Sequence, residues 1–162
     1  MGYRVRSLKT SDFEMLMGLE ERIFGSAGES VLGPYYVRLC CEFFNDTCFL
    51  VERETRPVGY VLCFLRGREA YCTTLGILPE AQGTRGVHLL LGALIGAIFD
   101  RVDSCWFTVR EDNQAARAIH AGLGALEGEI REDFYGPGDR RIVSRIQREQ
   151  LARAGARYRR LL

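Results

Sequence analysis

Residues 75–91 read Leu75-Gly76-Ile77-Leu78-Pro79-Glu80-Ala81-Gln82-Gly83-Thr84-Arg85-Gly86-Val87-His88-Leu89-Leu90-Leu91. A β-rich run enters this stretch from Ala70, and Pro79 stops it because proline cannot donate to a strand ladder. A glycine-bearing turn follows. Apolar residues then recur at Leu89, Leu90, Leu94, Ile95, Ile98 and Phe99, the pattern of a helix apolar over much of its circumference and so buried against a sheet. A strand, tight turn and helix in that order point several backbone N–H groups at one spot above the helix N-terminus. That arrangement suits a phosphate.

Upstream, Tyr3, Val5 and Ser7 alternate with Arg4 and Arg6, the period of a half-buried strand. Thr10 or Ser11 offers a helix N-cap before the stripe Phe13, Leu16, Met17, Ile23 and Phe24. Residues 25–33 are rich in Gly and Ser and read as loop; Pro34 then opens a second helix carrying Tyr35, Val37, Leu39 and Phe43. Residues 47–52 and 58–65 are two β-rich runs separated by a hairpin signal at 53–57, and the run from 70 follows a polar turn at 66–69. Downstream, 104–109 is a short apolar strand, and 113–121 is a helix ended by Gly122 and Gly124. Two strands close the chain near 125–131 and 141–146. The predicted order is β α α β β β α β α β β.

The final segment, 148–162, places Leu151, Ala154, Tyr158 and Leu161 at helical spacing among arginines. Its apolar stripe is expected to pack on the domain or on a second subunit, as in a homodimer. A nucleic-acid-binding arm is the competing reading, disfavoured because no stacking aromatics interleave with the arginines. The division expected is a domain over 1–147 and an Arg-rich helical extension over 148–162.

Composition bounds the rest. A chain of 162 residues with 47% hydrophobic content has room for one core, and a net charge of +1 sets up no global field for nucleic acid or an anionic membrane. Lys9 is the single lysine, the usage of a GC-rich genome. The six cysteines form no CxxC pair, sit in apolar runs and follow no secretory signal, so they are expected as buried thiols in a reducing cytoplasm. With His88 and His120 as the two histidines, no zinc or other metal site is expected. The longest apolar run, 87–99, is too short to span a bilayer.

Three segments together resemble the GNAT acetyltransferase superfamily. Residues 109–125 resemble its N-x-x-A-x-x-x-Y-x-x-x-G-F segment, with Asn113, Ala116 and Gly124 in place; residues 75–91 resemble its acetyl-CoA motif, hydrophobic-x-P-x-x-[QR]-x-x-G-x-G before a leucine-rich helix. Phe134-Tyr135-Gly136-Pro137-Gly138 is similar to the aromatic, glycine-bearing connection between the family's last two strands. The resemblance implies an α/β fold of the α+β type: a single domain with a mixed, mostly antiparallel central sheet flanked by helices. The distance from 75–91 to 113–125 suits two neighbouring strands that splay apart, so that both segments clasp one elongated ligand.

It also implies transfer of an acetyl group from acetyl-CoA, as co-substrate, to an amine by direct attack in a ternary complex. The backbone at Ile77 and Leu78 would hold the pantetheine and polarise the thioester. The turn Gln82, Gly83, Thr84, Arg85, Gly86, Val87 and His88 would cradle the pyrophosphate, and Asn113 and Ala116 would contact the pantetheine arm. Aligned without a gap from Pro79, Arg85 and Val87 take the motif's two glycine positions, and Arg85 offers a guanidinium to a phosphate; a register shifted by one restores Gly86 and puts His88 in the last glycine place. His120 stands at the family's tyrosine, where an imidazolium or a correctly tautomerised ring would protonate the departing thiolate.

For the base, Glu42, Asp46 and Glu69 are candidates, with Thr73 or Tyr135 relaying a proton through water. Residues 33–52 are similar to the second helix and following strand of diaminobutyrate acetyltransferases, which suggests an amino acid or small polyamine as acceptor, met by Tyr35, Tyr36, Thr73 and Tyr135. The leading expectation is an enzyme acting on the primary amine of a small molecule: an amino acid, an antibiotic or a biosynthetic intermediate. The alternatives are a protein lysine or N-terminal acetyltransferase, which needs an open groove beside Thr73, and a catalytically weak acyl-CoA-binding module.

Overall fold

In the computed structural model, which describes residues 2–26, 28–29 and 31–160, the segment that opened the reading joins strand β4 (Glu69–Ile77) to helix α3 (Arg85–Ile98). The chain runs β1 (Tyr3–Ser7), α1 (Phe13–Glu20), α2 (Pro34–Glu42), β2 (Phe49–Arg53) and β3 (Arg56–Arg66) before β4. After α3 come β5 (Ser104–Val109), α4 (Gln114–Gly122), β6 (Leu126–Arg131), β7 (Arg141–Gln147) and α5 (Arg148–Arg159). The predicted order of elements holds. The strands form one seven-stranded sheet in the order β1-β2-β3-β4-β5-β7-β6. Every neighbouring pair is antiparallel except β4 and β5, which are parallel. A parallel pair needs a crossover, and α3 is that crossover.

The β2–β3 hairpin turns through Glu54 and Thr55, both with positive φ (49° and 73°), the handedness that matches the twist of the flanking strands. Strand β3 is buried without a break from Val58 to Cys63, as a central strand covered on both faces must be. Helices α1 and α2 cover one face, and α3, α4 and α5 cover the other. The apolar stripe of α5 lies on α3: Leu151, Ala154 and Tyr158 are buried, and a β-carbon on Gly92 of α3 would come within 3.3 Å of the Tyr158 ring. Leu161 lies outside the described residues.

Three local expectations differ. Neither Thr10 nor Ser11 caps α1; Thr10–Asp12 is a tight helical turn, and the Asp12 carboxylate accepts the Lys9 N–H (2.7 Å) while pairing with Arg6 (2.7 Å). Ile23 and Phe24 leave the α-helical stripe because Glu21–Gly25 widens into a π turn. Strand β2 starts at Phe49 rather than 47, since the Thr47 hydroxyl turns inward to donate to the Cys63 carbonyl (2.6 Å). All six cysteines are buried and unbridged. No helix among the described residues is long and apolar enough to cross a membrane.

Candidate active site

The opening in the sheet is made by strand pairing. β4 pairs with β5 from Glu69↔Ser104 to Cys72↔Phe107 and no further, while β3 continues to pair with β4 as far as Ile77 and β7 with β5 as far as Val109. Beyond Cys72 the strands part. The backbone of β4 from Thr73 to Ile77 is therefore without a ladder partner on its β5 side, a row of donors and acceptors suited to an extended amide-bearing ligand. The parting coincides with a bulge: Leu62 pairs with Thr74 and Cys63 with Cys72, so Thr73 is the extra residue, and a bulge bends and twists the strand that carries it.

At the far end of this strand lies the turn before α3. Gly83 has φ +67°, a conformation that other residues adopt at a cost. The Thr84 hydroxyl donates to the Ala81 carbonyl (2.5 Å) and accepts the Gly86 N–H (3.3 Å), capping α3. Gln82, Gly83, Arg85 and His88 are exposed and Val87 is half-buried. Gly86 faces inward, where a β-carbon would lie 3.2 Å from the Tyr3 ring. The requirement for glycine at 86 thus comes from packing against β1. An exposed helix N-terminus beside unpaired strand backbone fits a ligand with a phosphate at one end and amides along its arm.

Asn113 caps α4, its side-chain oxygen accepting the Ala116 N–H (3.1 Å), which leaves its NH2 group to reach a ligand. On the same face of the sheet His120 stacks on Phe107 (4.4 Å between centroids) with Nδ1 buried and without a partner among the described residues. Burial pushes its pKa down to about 4, only partly offset by Glu127, so the ring is neutral at physiological pH. The imidazolium considered from the sequence is not the resting form. A neutral ring can still donate one N–H bond.

The opposite face, under α1 and α2, is lined by hydroxyls and aromatic rings. Tyr36 of α2 and Thr73 share a hydrogen bond, and burial holds the Tyr36 phenol well above its usual value. Tyr71, Thr108 and Tyr135 are mutually bonded: Tyr71 to Thr108 at 3.1 Å, Thr108 to Tyr135 at 3.3 Å, and Tyr71 directly to Tyr135. Trp106 stacks on Tyr71 (4.0 Å, 8° between planes), and Phe134 meets Trp106 edge-on. Tyr35, by contrast, is 90% exposed and is not brought to Tyr36 and Thr73. The base candidates are each engaged elsewhere: Glu42 with Arg38 and Thr10, Asp46 with Arg101, Glu69 with Arg66.

Tyr71, Trp106 and Thr108 were missed from the sequence. Their signal was strand alternation, which puts Tyr71 with Thr73, and Trp106 with Thr108, on one face. Among the described residues no group of three or more His, Cys, Asp or Glu side chains is placed to hold a metal ion.

The sequence profile of the Acetyltransferase (GNAT) family matches residues 13–125. A search of curated proteins finds no match. Among solved structures the chain is similar to the ribosomal-protein-S18-alanine N-acetyltransferase of Escherichia coli, with 20% identity, TM-score 0.73 and coverage of 90% of this chain and 94% of that one. It is also similar to a diaminobutyrate acetyltransferase of Paenibacillus lautus in complex with L-2,4-diaminobutyric acid and coenzyme A (17% identity, TM-score 0.73, 88% and 94% covered). A third is Naa50 of Arabidopsis thaliana with a bisubstrate analogue (15% identity, TM-score 0.77, 91% and 99% covered).

Proposed function

The chain belongs to the acetyltransferase (GNAT) family, and we propose that it transfers the acetyl group of acetyl-CoA to the primary amine of a small molecule in a ternary complex. The observation that carries this reading is the parting of β4 and β5 after Cys72 and Phe107, with the α3 turn at one end and a hydroxyl-lined face at the other. Acetyl-CoA supplies an activated thioester. The α3 turn from Gln82 to His88 would hold its pyrophosphate, the backbone at Ile77 and Leu78 would hold the pantetheine, and Asn113 would contact it through its NH2 group. In the overall reaction the amide C–N bond forms, the thioester C–S bond breaks, and one N–H proton ends on the departing sulfur. His120, neutral at rest, would steady that sulfur with an N–H bond.

A small acceptor is favoured because side-chain bonds, Tyr36 to Thr73 and Tyr71 to Tyr135, tie together the hydroxyls at the two ends of the acceptor face. A second reading, a polypeptide acceptor, draws on Tyr35 and Leu39 of α2 and Phe43 at its C-terminal cap, all exposed at a spacing of four residues. Acetyl-CoA and CoA should each raise the melting temperature, and a panel of primary amines assayed for CoA release should include turned-over acceptors. Absence of a thermal shift with either nucleotide would refute the reading. Turnover of peptides with none of free amines would favour the second.

A further inference from the structure

We propose that the hydroxyls of Tyr71, Thr108 and Tyr135 form the subsite for the acceptor's amino group, taken as the neutral amine, which selects α-amino groups over alkylamines. The proposal rests on the acetyl-transfer reading and names the substrate class for that site. The three oxygens are bonded pairwise, and each hydroxyl carries one hydrogen. When each donates to the next, all three hydrogens are used within the ring and only lone pairs face outward. The complement of such a ring is an N–H donor. A neutral primary amine supplies two and keeps its own lone pair for attack.

Position supports this assignment. Thr108 is the first residue of β5 beyond the last one paired with β4, and Tyr71 directly precedes Cys72, the last paired residue of β4. The ring therefore sits where the strands begin to part. It opens to solvent on the side of Tyr135, which is 58% exposed.

Charge decides the protonation state. The nearby carboxylates are already engaged: Asp139 with Arg141, Glu129 with Arg131 and Arg145, Asp112 with Arg110, Glu132 with Arg140, and Asp133 as acceptor of the Gly138 N–H (2.7 Å). The guanidinium of Arg141 lies 5.1 Å from the centre of the Tyr135 ring, and that of Arg131 lies 5.8 Å from the Trp106 ring. An ammonium entering here would shed water without gaining a counter-charge, so it gives its proton to solvent first. This reading needs no dedicated carboxylate base, since the substrate arrives deprotonated. An α-amino group titrates near 8 and an alkylamine near 10.4, so at pH 7.5 roughly a quarter of the first and about a thousandth of the second are neutral. That difference is roughly two-hundredfold.

Trp106 is the single tryptophan of the chain and stacks on Tyr71, so its emission reports on the ring. With CoA present, alanine amide should change this emission saturably at about one two-hundredth the total concentration that n-butylamine needs at pH 7.5. The gap should narrow about tenfold by pH 9, as the alkylamine gains free base. Thr108→Val, which removes one oxygen and keeps the shape, should weaken alanine amide about tenfold and leave the acetyl-CoA thermal shift unchanged. Equal affinity for the two amines at pH 7.5, no emission change with either, or unchanged affinity in Thr108→Val overturns the proposal. Loss of the acetyl-transfer reading itself would show separately, as a missing thermal shift with acetyl-CoA.

Discussion

Glu20 and Leu32 are tied by one hydrogen bond, the Leu32 N–H donating to Glu20 Oε1 at 3.1 Å, while Glu20 Oε2 is buried with no partner among the described residues. The residue is 2% exposed. Burial raises its pKa from 4.5 to about 7, with Glu29 and Glu21 adding to the shift. Between those values the folded protein holds a proton that the unfolded chain has released, so stability falls as pH rises through this window and levels off above 7. A shift of 4.5 to 7 corresponds to an effect on the order of 3 kcal/mol. Glu20→Gln should remove this slope, gaining stability relative to the parent at pH 8 more than at pH 5. Urea titrations at the two pH values test it, and an unchanged slope in the variant would refute it.

His120 has the opposite linkage. Its pKa is lowered from 6.5 to about 4 by burial, so its contribution to stability is present above 6.5 and lost as pH falls toward 4. His120→Phe should abolish that acid-side loss, lower turnover, and leave acetyl-CoA binding in place. A kcat limb near pH 6.5 in the parent that disappears in the variant would instead mean that the imidazolium acts.

Arg85 stands exposed at the first turn of α3. If its guanidinium pairs with a phosphate, Arg85→Ala should weaken CoA about tenfold, the loss of one charge-assisted bond. Calorimetric titration with CoA decides this. Tighter binding in the variant would show that the side chain crowds the pyrophosphate instead.

Tyr158 closes the outer side of α3 against Gly92. Tyr158→Ala should cost about 3 kcal/mol by opening a cavity in that contact. A fall in the urea midpoint with the CoA affinity unchanged is the expected result; a change below about 0.5 kcal/mol would mean that α5 adds little to the domain.

Much of the fold was legible because its signals are local. Proline at 79 after a β-rich run, a glycine turn and a helix apolar over most of its surface left little choice for 70–99, and alternation at Tyr3, Val5 and Ser7 placed the first strand. Two of the misread boundaries come from competition by other partners. Thr47 is a good strand residue, yet its hydroxyl goes to Cys63; Thr10 and Ser11 are good caps, yet Asp12, fixed by Arg6, takes that place. The acceptor face was only partly legible. Tyr36, Thr73 and Tyr135 were named, but Tyr71, Trp106 and Thr108 come from strands distant in the sequence and meet only when β4 and β5 lie side by side.

The stretch 75–91 by itself determined a strand, a turn of exposed N–H groups and a buried helix, because periodicity, proline and glycine act over a few residues. Family membership was legible there too, together with the pattern at 109–125. Tertiary structure alone decided the protonation state of His120, the packing role of Gly86, the engagement of every carboxylate once considered as base, and the hydroxyl ring at Tyr71, Thr108 and Tyr135. Burial and the pairing of charges depend on which surfaces the folded chain brings together, and spacing along the chain does not encode them.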